Sequence, residues 1–214
     1  MKELKEILKS YDHLKSSNKK SALATVVHIE GSSYRRPGAR MLITEDGRIT
    51  GAISGGCLEG DAMRKALQVI NNQIPALVTY DTMDEDDATL GIGLGCNGII
   101  QVLIEPINNE ENKNAIHILE KAIDKRQNSV VVTLFSFNDK KLLFAGTKFI
   151  VNENGELHHD IKDQELLLLC KTQAIEVLNE AKSKWEEINY NNQYLTIFYE
   201  YLTPSINLIV VGAG

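Results

Sequence analysis

The segment Ser54–Gly60 (SGGCLEG) places a cysteine directly after two glycines, between an apolar stretch and a helical pattern. The glycines allow a sharp turn and a close approach of the backbone to a ligand, and amides at a helix start favour anions. Cys57 falls at this helix start, where the helix dipole stabilises a thiolate, although Glu59 and Asp61 oppose that effect. Cys57 is therefore either a reactive thiol or a small side chain that packs beside its glycines.

A second cysteine lies in the segment Gly91–Gly98 (GIGLGCNG), which contains four glycines and precedes a β-rich stretch. Asn97 tolerates the left-handed backbone of a tight turn. No lysine follows the glycines, which excludes a Walker phosphate loop. Two Gly–Cys loops at strand ends favour one shared ligand site that includes Cys57 and Cys96; two unrelated turns are the alternative.

The densest positive cluster of this acidic chain lies in Gly31–Arg40 (GSSYRRPGAR). Arg35, Arg36 and Arg40 carry guanidinium groups, which pair bidentately with phosphate or carboxylate. The segment is therefore a candidate anion site, and the alternative is a solvated loop with ordinary ion pairs.

Composition narrows the function classes. The formal net charge of −6 over 214 residues argues against a general nucleic-acid binder. No apolar run approaches the roughly 20 residues of a membrane span, and the N-terminus lacks the apolar core of a signal peptide, so we expect a cytoplasmic protein. Three cysteines without a CxxC or HExxH motif predict neither a disulfide framework nor a structural zinc site.

The pattern of elements predicts an α/β (mixed α+β) fold in which a mixed sheet is flanked by helices. Residues 1–203 are expected to form one domain. Residues 204–214 contain an apolar strand that runs into Gly-Ala-Gly, which is how a Rossmann-like domain begins. We interpret them as the stub of such a domain. The predicted helices are 2–15, 58–73, 110–125 and 161–184; the predicted strands are 22–29, a hairpin within 41–53 that turns at Asp46-Gly47, 76–80, 99–105, 129–137, 141–151 and 194–202.

Three ordered motifs, ALATVVHIEGSSYRRPGARM, GAISGGCLEG and GLGCNGIIQVLIEP, resemble the xanthine dehydrogenase accessory factor (XdhC/CoxI) family over residues 20–106. Asn97 departs from the glycine usual in that family. The resemblance implies an accessory protein, more a chaperone than an enzyme, that binds the molybdenum cofactor (molybdopterin) transiently. It would assist sulfuration of the cofactor and its insertion into a molybdenum hydroxylase such as xanthine dehydrogenase. The implied partners are that hydroxylase, a cysteine desulfurase and a second copy in a homodimer, without nucleic acid or membrane.

The cofactor-binding residues expected on this basis come from all three motifs, and the two cysteines among them are also the expected metal ligands: Arg35, Arg36, Arg40, Gly55, Gly56, Cys57, Glu59, Gly95, Cys96 and Asn97. Thiolates are soft ligands that suit such a metal, and the phosphate of the cofactor suits arginines and glycine-loop amides. One alternative function is a sulfurtransferase with Cys57 or Cys96 as persulfide carrier. Another is a nicotinamide-dependent oxidoreductase, which the incomplete terminal glycine motif disfavours.

Overall fold

The computed structural model describes residues 2–17, 19–82, 98–108, 114–124, 126–136, 145–206, 209 and 211–212. The helices within them are α1 (Lys2–Ser16), α2 (Glu59–Asn72), α3 (Ala115–Asp124) and α4 (Gln164–Glu180). The strands are β1 (Ser21–Gly31), β2 (Arg40–Thr44), β3 (Ile49–Gly51), β4 (Ala76–Asp81), β5 (Gly98–Ile107), β6 (Ser129–Phe135), β7 (Gly146–Asn152), β8 (Leu157–His159), β9 (Lys184–Tyr190) and β10 (Gln193–Leu202). None of the described helices combines the length and the apolar character that crossing a bilayer requires.

The strands form two five-stranded sheets, ordered β3-β2-β1-β5-β4 and β8-β7-β6-β10-β9. All the strand pairs are antiparallel. The mixed α/β class is thus confirmed, whereas the single mixed sheet of the prediction is replaced by two antiparallel sheets. Neighbouring strands such as β2 and β3 are joined by short turns, which favour antiparallel pairing.

The two sheets are built by the same sequence of elements. A helix, three strands, a helix and two strands run from α1 to β5, the first unit, and again from α3 to β10, the second unit. The registers also correspond, because Ser21 pairs with Ile107 at the start of β1 and Ser129 pairs with Leu202 at the start of β6. The chain is therefore an internal structural duplication.

Each unit covers the outer face of its sheet with a helix. One apolar cluster joins α2 to alternate residues of β1, β2 and β5, and a second joins α4 to alternate residues of β6, β7 and β10. The stripe of α4 is Leu166, Cys170, Ala174 and Val177, a spacing that keeps these side chains on one helix face. The inner faces meet between the sheets, where α1 and α3 complete the core.

The layer between the sheets also contains paired polar groups. Arg40 on β2 forms a bidentate ion pair with Glu200 on β10, and both side chains are less than a tenth exposed. Glu105 on β5 accepts hydrogen bonds from the amide and the hydroxyl of Thr147 on β7, at 2.6 and 2.9 Å. The registers make Glu105 equivalent to Glu200 and Arg40 equivalent to Thr147. Each unit therefore supplies one buried carboxylate to the other.

The second half departs from the sequence-based prediction at α4 and β9. The helix predicted over 161–184 ends at Glu180, because Ala181 adopts a left-handed conformation with φ of 54°. Residues 184–190 then alternate in burial and form β9, a period of two that the prediction missed. The short strand β8 was missed too, because its three residues carry little pattern. The Rossmann-like stub over 204–214 falls partly outside the described residues and stays a prediction.

Candidate functional site

The three sequence motifs belong to connections at one edge of the first sheet. Because β1 runs antiparallel to β5, its end at Gly31 pairs with Gly98 at the start of that strand, whereas β2 begins at Arg40 opposite Thr25, six residues before the end of β1. The pairing of β3 and β4 brings their ends, Gly51 and Asp81, to the same edge. The arginine loop (residues 32–39), the first Gly–Cys loop (52–58) and the two described ends of the second Gly–Cys segment, Thr82 and Gly98, therefore lie toward the same end of the sheet, at levels that differ by about six residues along β1.

The base of the second Gly–Cys segment is closed by Thr82. Its amide and its hydroxyl donate to the Gly98 carbonyl at 3.0 and 2.6 Å, and the Gly98 amide donates to the same hydroxyl at 2.9 Å. A side chain at Gly98 would collide with the backbone of Glu30 and Ser32, so glycine is required where this segment joins β5. The predicted site residues Gly95, Cys96 and Asn97 lie outside the described residues, as does the acidic run 84–87.

The first Gly–Cys loop is held in shape by Ser54 and Glu59. One Glu59 carboxylate oxygen accepts from the amides of Ile53 and Ser54, at 3.2 and 2.8 Å, and the other accepts from the Ser54 hydroxyl. The Ser54 Oγ in turn accepts from the amides of Gly56 and Leu58, each at 3.1 Å. Glu59, expected among the cofactor-binding residues, thus has its carboxylate engaged in fixing the loop.

This bonding consumes several amides that could otherwise attract an anion. Four amides of the loop point at Ser54 or Glu59, so the helix start is less available to a phosphate than the sequence suggested. The thiol of Cys57 lies 3.5 Å from the Ser54 hydroxyl, and the residue is partly exposed while it also packs against the apolar cluster of α2. A loop fixed by these hydrogen bonds holds a partly exposed thiol in place, which a metal or sulfur ligand requires.

The three arginines of the predicted anion site have three different environments. Arg40 is buried between the sheets with Glu200. Arg35 pairs with Glu3 of α1. Arg36 is exposed and, within the part of the chain that the structure describes, forms no ion pair. Arg36 is therefore the guanidinium best placed to meet an anionic ligand, while Arg35 and Arg40 anchor the loop that presents it.

Glu3 is a site residue that the sequence did not reveal. Its second carboxylate oxygen accepts from the Ala52 amide at 2.9 Å while the first pairs with Arg35. One carboxylate therefore ties the arginine loop to the first Gly–Cys loop. A residue in the first turn of α1 carries no sequence signal for a contact 49 positions away.

Tyr34 also links the same two loops. A Cβ added to Gly55 would lie 3.2–3.4 Å from three carbons of the Tyr34 ring, so the ring rests on the glycine backbone. The side chain is nevertheless 75% exposed. An exposed aromatic ring in a polar loop was a signal that the sequence offered and that the motif-based interpretation passed over.

A cavity of about 70 Å³ lies behind the loops, lined by Glu3, Gly38, Arg40 and Glu200 among others. Small-molecule sites usually enclose roughly 300 Å³ or more, so this cavity is too small for a pterin cofactor. The described residues also contain no group of three or more His, Cys, Asp or Glu side chains arranged to hold a metal ion. A ligand of this edge would therefore lie on the surface of the loops, where Tyr34 and Arg36 are exposed and Cys57 is partly exposed.

Cys170, His158 and His159, which could bind a metal or act as nucleophiles by residue type, lie away from this edge. Cys170 is fully buried on the apolar stripe of α4, and burial raises the pKa of its thiol to about 12. His158 and His159 lie on the edge strand β8, where the ring of His159 bonds to the Ile161 carbonyl. The fold and the loop edge together define a two-sheet α/β protein whose candidate site is an open surface for a small anionic ligand.

Comparison with known proteins agrees with the fold. Residues 14–81 match the model of the XdhC and CoxI family. The chain is 31% identical to a probable xanthine dehydrogenase subunit of Bacillus subtilis, over 95% of this chain and 56% of that protein. It is 33% identical to the molybdenum cofactor insertion chaperone PaoD of Escherichia coli, over 44% of this chain and 29% of PaoD.

A solved structure has the same fold. The crystal structure described as a xanthine dehydrogenase from Bacillus halodurans aligns with a TM-score of 0.62 and 27% sequence identity. The alignment covers 92% of this chain and 52% of the other. The chain thus spans about half the length of that structure and of the Bacillus subtilis relative.

Proposed function

We propose that this protein is an accessory factor in the maturation of a molybdenum hydroxylase of the xanthine dehydrogenase type, and that it binds the molybdenum cofactor at the edge where its three loops meet. The cofactor is cargo, which the protein receives, holds transiently and delivers. The observation that carries the proposal is the presentation of one exposed guanidinium, Arg36, and one accessible thiol, Cys57, on adjacent anchored loops.

The chemistry of the cargo fits these groups. Its terminal phosphate is anionic and would pair with Arg36, since guanidinium–phosphate pairs are strong charge-assisted hydrogen bonds. Its dithiolene-bound molybdenum accepts soft ligands, and the thiolate of Cys57 is one. Cys96 would be a second thiol ligand from the neighbouring segment. An open surface suits a transient ligand, because handing the cofactor to a hydroxylase requires that it be released.

The test is direct binding of isolated molybdenum cofactor to the wild type and to Arg36→Ala, Arg35→Ala and Cys57→Ala variants. Loss of a charge-assisted hydrogen bond costs about 1.5–3 kcal/mol, so Arg36→Ala should weaken binding about 10- to 150-fold. Cys57→Ala should weaken binding and remove any molybdenum–sulfur signal of this thiol from the X-ray absorption spectrum of the loaded protein.

The comparison of the two arginines is the sharpest control. Arg35→Ala should weaken binding less than Arg36→Ala and should instead lower the thermal stability of the protein, because Arg35 is bound to Glu3. Equal affinity in the wild type, the Arg36→Ala variant and the Cys57→Ala variant would reject the proposed site. Failure of the wild type to bind the cofactor at all would reject the proposed function.

Sulfuration is a finer part of the proposal. Cys57 is accessible, so it is a candidate to carry sulfur as a persulfide, with a cysteine desulfurase as the donor. Incubation with a desulfurase and free cysteine should then add the mass of one sulfur atom to the Cys57 peptide and not to the buried Cys170. If neither peptide gains mass, the protein binds the cofactor without carrying its sulfur on Cys57.

A further inference from the structure

The ring of Tyr34 occupies an unusual position for a large aromatic side chain. It is 75% exposed, although burial of an aromatic ring away from water is favourable. One side of the ring rests on Gly55, two residues from Cys57. We propose that its open side is a stacking surface for a flat heteroaromatic ring, which is the pterin if the proposed function is correct.

The loop that carries Tyr34 is fastened at several points. Arg35 is tied to Glu3, and the Gly38 amide donates to the Val26 carbonyl at 2.8 Å. The Ala39 amide donates to the Arg36 carbonyl at 3.1 Å. Because the loop is held in place, its backbone loses little conformational freedom when a ligand binds, so ordering is confined to the outward side chains of Tyr34 and Arg36.

Gly55 is the second half of the stacking surface. A methyl group at this position would lie within 3.2–3.4 Å of the ring, closer than ordinary van der Waals contact, so the ring would have to move away. The absence of a side chain therefore lets Tyr34 lie against the Gly–Cys loop, two residues before Cys57 in the chain. Residue 55 needs no left-handed backbone, since the positive φ of this loop belongs to Gly56.

The three groups specify the chemistry of the ligand. A ligand that uses them together has a flat ring for Tyr34, an anionic group for Arg36 and a soft, thiophilic centre for Cys57. A ring that stacks on an aromatic side chain contributes about 1–3 kcal/mol, so loss of Tyr34 should weaken binding of the ring about 5- to 150-fold. Tyr34 would bind the ring and Arg36 the phosphate, which makes their contributions separable.

The experiment uses free 6-hydroxymethylpterin, inorganic phosphate and isolated molybdenum cofactor as three probes. Pterin fluorescence should be quenched by the wild type and by Tyr34→Phe, which keeps the ring. Tyr34→Leu should weaken pterin binding about 5- to 150-fold, whereas Gly55→Ala, which displaces the ring by only a few tenths of an ångström, should weaken it less. Tyr194→Leu is the matched control, because Tyr194 is 62% exposed on β10 of the other sheet.

Phosphate separates the roles of the two outward side chains. Its binding should depend on Arg36 and remain unchanged in Tyr34→Leu. The stacking surface is overturned if Tyr34→Leu binds pterin as tightly as Tyr194→Leu does, or if the wild type binds no pterin. If pterin binding depends on Tyr34 but the molybdenum cofactor does not bind, the stacking surface stands and the proposed function fails. If the molybdenum cofactor binds and its affinity does not change in Tyr34→Leu, the proposed function stands and the stacking surface fails.

Discussion

Replacing Glu59 should release the loop that carries Cys57. The carboxylate accepts three hydrogen bonds, from the amides of Ile53 and Ser54 and from the Ser54 hydroxyl. Glu59→Ala removes all three at once and also frees the hydroxyl that holds the Gly56 and Leu58 amides. A hydrogen bond to a charged group contributes about 1.5–3 kcal/mol when buried, and less where water can replace the lost partner.

The loop is partly exposed, so we expect Glu59→Ala to lower the free energy of unfolding by about 2–4 kcal/mol. Glu59→Gln keeps one carbonyl oxygen as an acceptor and should cost about half as much. The control is Glu165→Ala, because Glu165 is an exposed acid in the first turn of α4. It contributes only to the helix dipole, about 0.3–1 kcal/mol.

Denaturant titration measures these differences, and the rate of thiol labelling at Cys57 measures whether the loop opens. Labelling should accelerate in Glu59→Ala under native conditions and stay unchanged in Glu165→Ala. Ordinary surface substitutions change the free energy of unfolding by about 0.5 kcal/mol or less. If the free energies of unfolding of Glu59→Ala and Glu165→Ala differ by no more than this, and labelling of Cys57 does not accelerate, Glu59 does not hold the loop.

The same contacts predict a pH dependence. Burial alone would raise the pKa of Glu59, but the hydrogen bonds from Ser54 and the backbone outweigh it and hold the pKa below the usual 4.5. The contribution of Glu59 to stability is therefore complete above that value and is lost as the pH falls through the lower pKa of the folded state. Glu59→Gln should show a weaker loss of stability on acidification than the wild type.

Further predictions concern the interior. Glu200→Ala should destabilise the protein by about 3–5 kcal/mol by leaving Arg40 buried without its partner, and the double variant Arg40→Met with Glu200→Leu should recover much of that loss in denaturant titration. Burial raises the pKa of Glu105 above 4.5, so the contribution of Glu105 to stability should fall as the pH rises from 4.5 through the pKa of the folded state. Glu105→Gln should therefore make the free energy of unfolding depend less steeply on pH, and an unchanged slope would contradict this. Mass spectrometry of natively labelled protein at about pH 8 should find reagent on Cys57 and not on Cys170 until the protein is unfolded, whereas rapid native labelling of Cys170 would contradict its burial.

Local patterns predicted most of the first unit. Each of its early elements has a hydrophobic period or a turn motif that depends only on residues close in sequence. Examples are the apolar stripe of α1, the β-rich stretch of β1 and the turn at Asp46-Gly47. The helix α2 was placed within one residue of its ends. Here the local sequence and the final fold agree, so pattern alone was sufficient.

Long-range contacts were not predictable. Nothing local indicates that Arg40 turns inward to Glu200, 160 positions away, or that Arg35 is bound to Glu3. Nothing in the sequence distinguishes the three arginines, because a sequence shows their charge but not where each side chain points in the fold. In the second unit, the prediction of one helix over 161–184 was wrong at Ala181. This good helix former adopts a left-handed conformation there, and the chain turns into β9.

The duplication has a consequence for how the molecule is held together. Units related in this way meet as the protomers of an isologous homodimer do, with equivalent positions facing each other reciprocally. The exchanged carboxylates, Glu105 and Glu200, are the two copies of one such contact. The connections at the candidate edge differ, because sixteen residues join β4 to β5 whereas Asn191 and Asn192 alone join β9 to β10. The loops proposed to bind the ligand thus all belong to one half of this pseudo-dimer, and the exchanged carboxylates tie that half to the other.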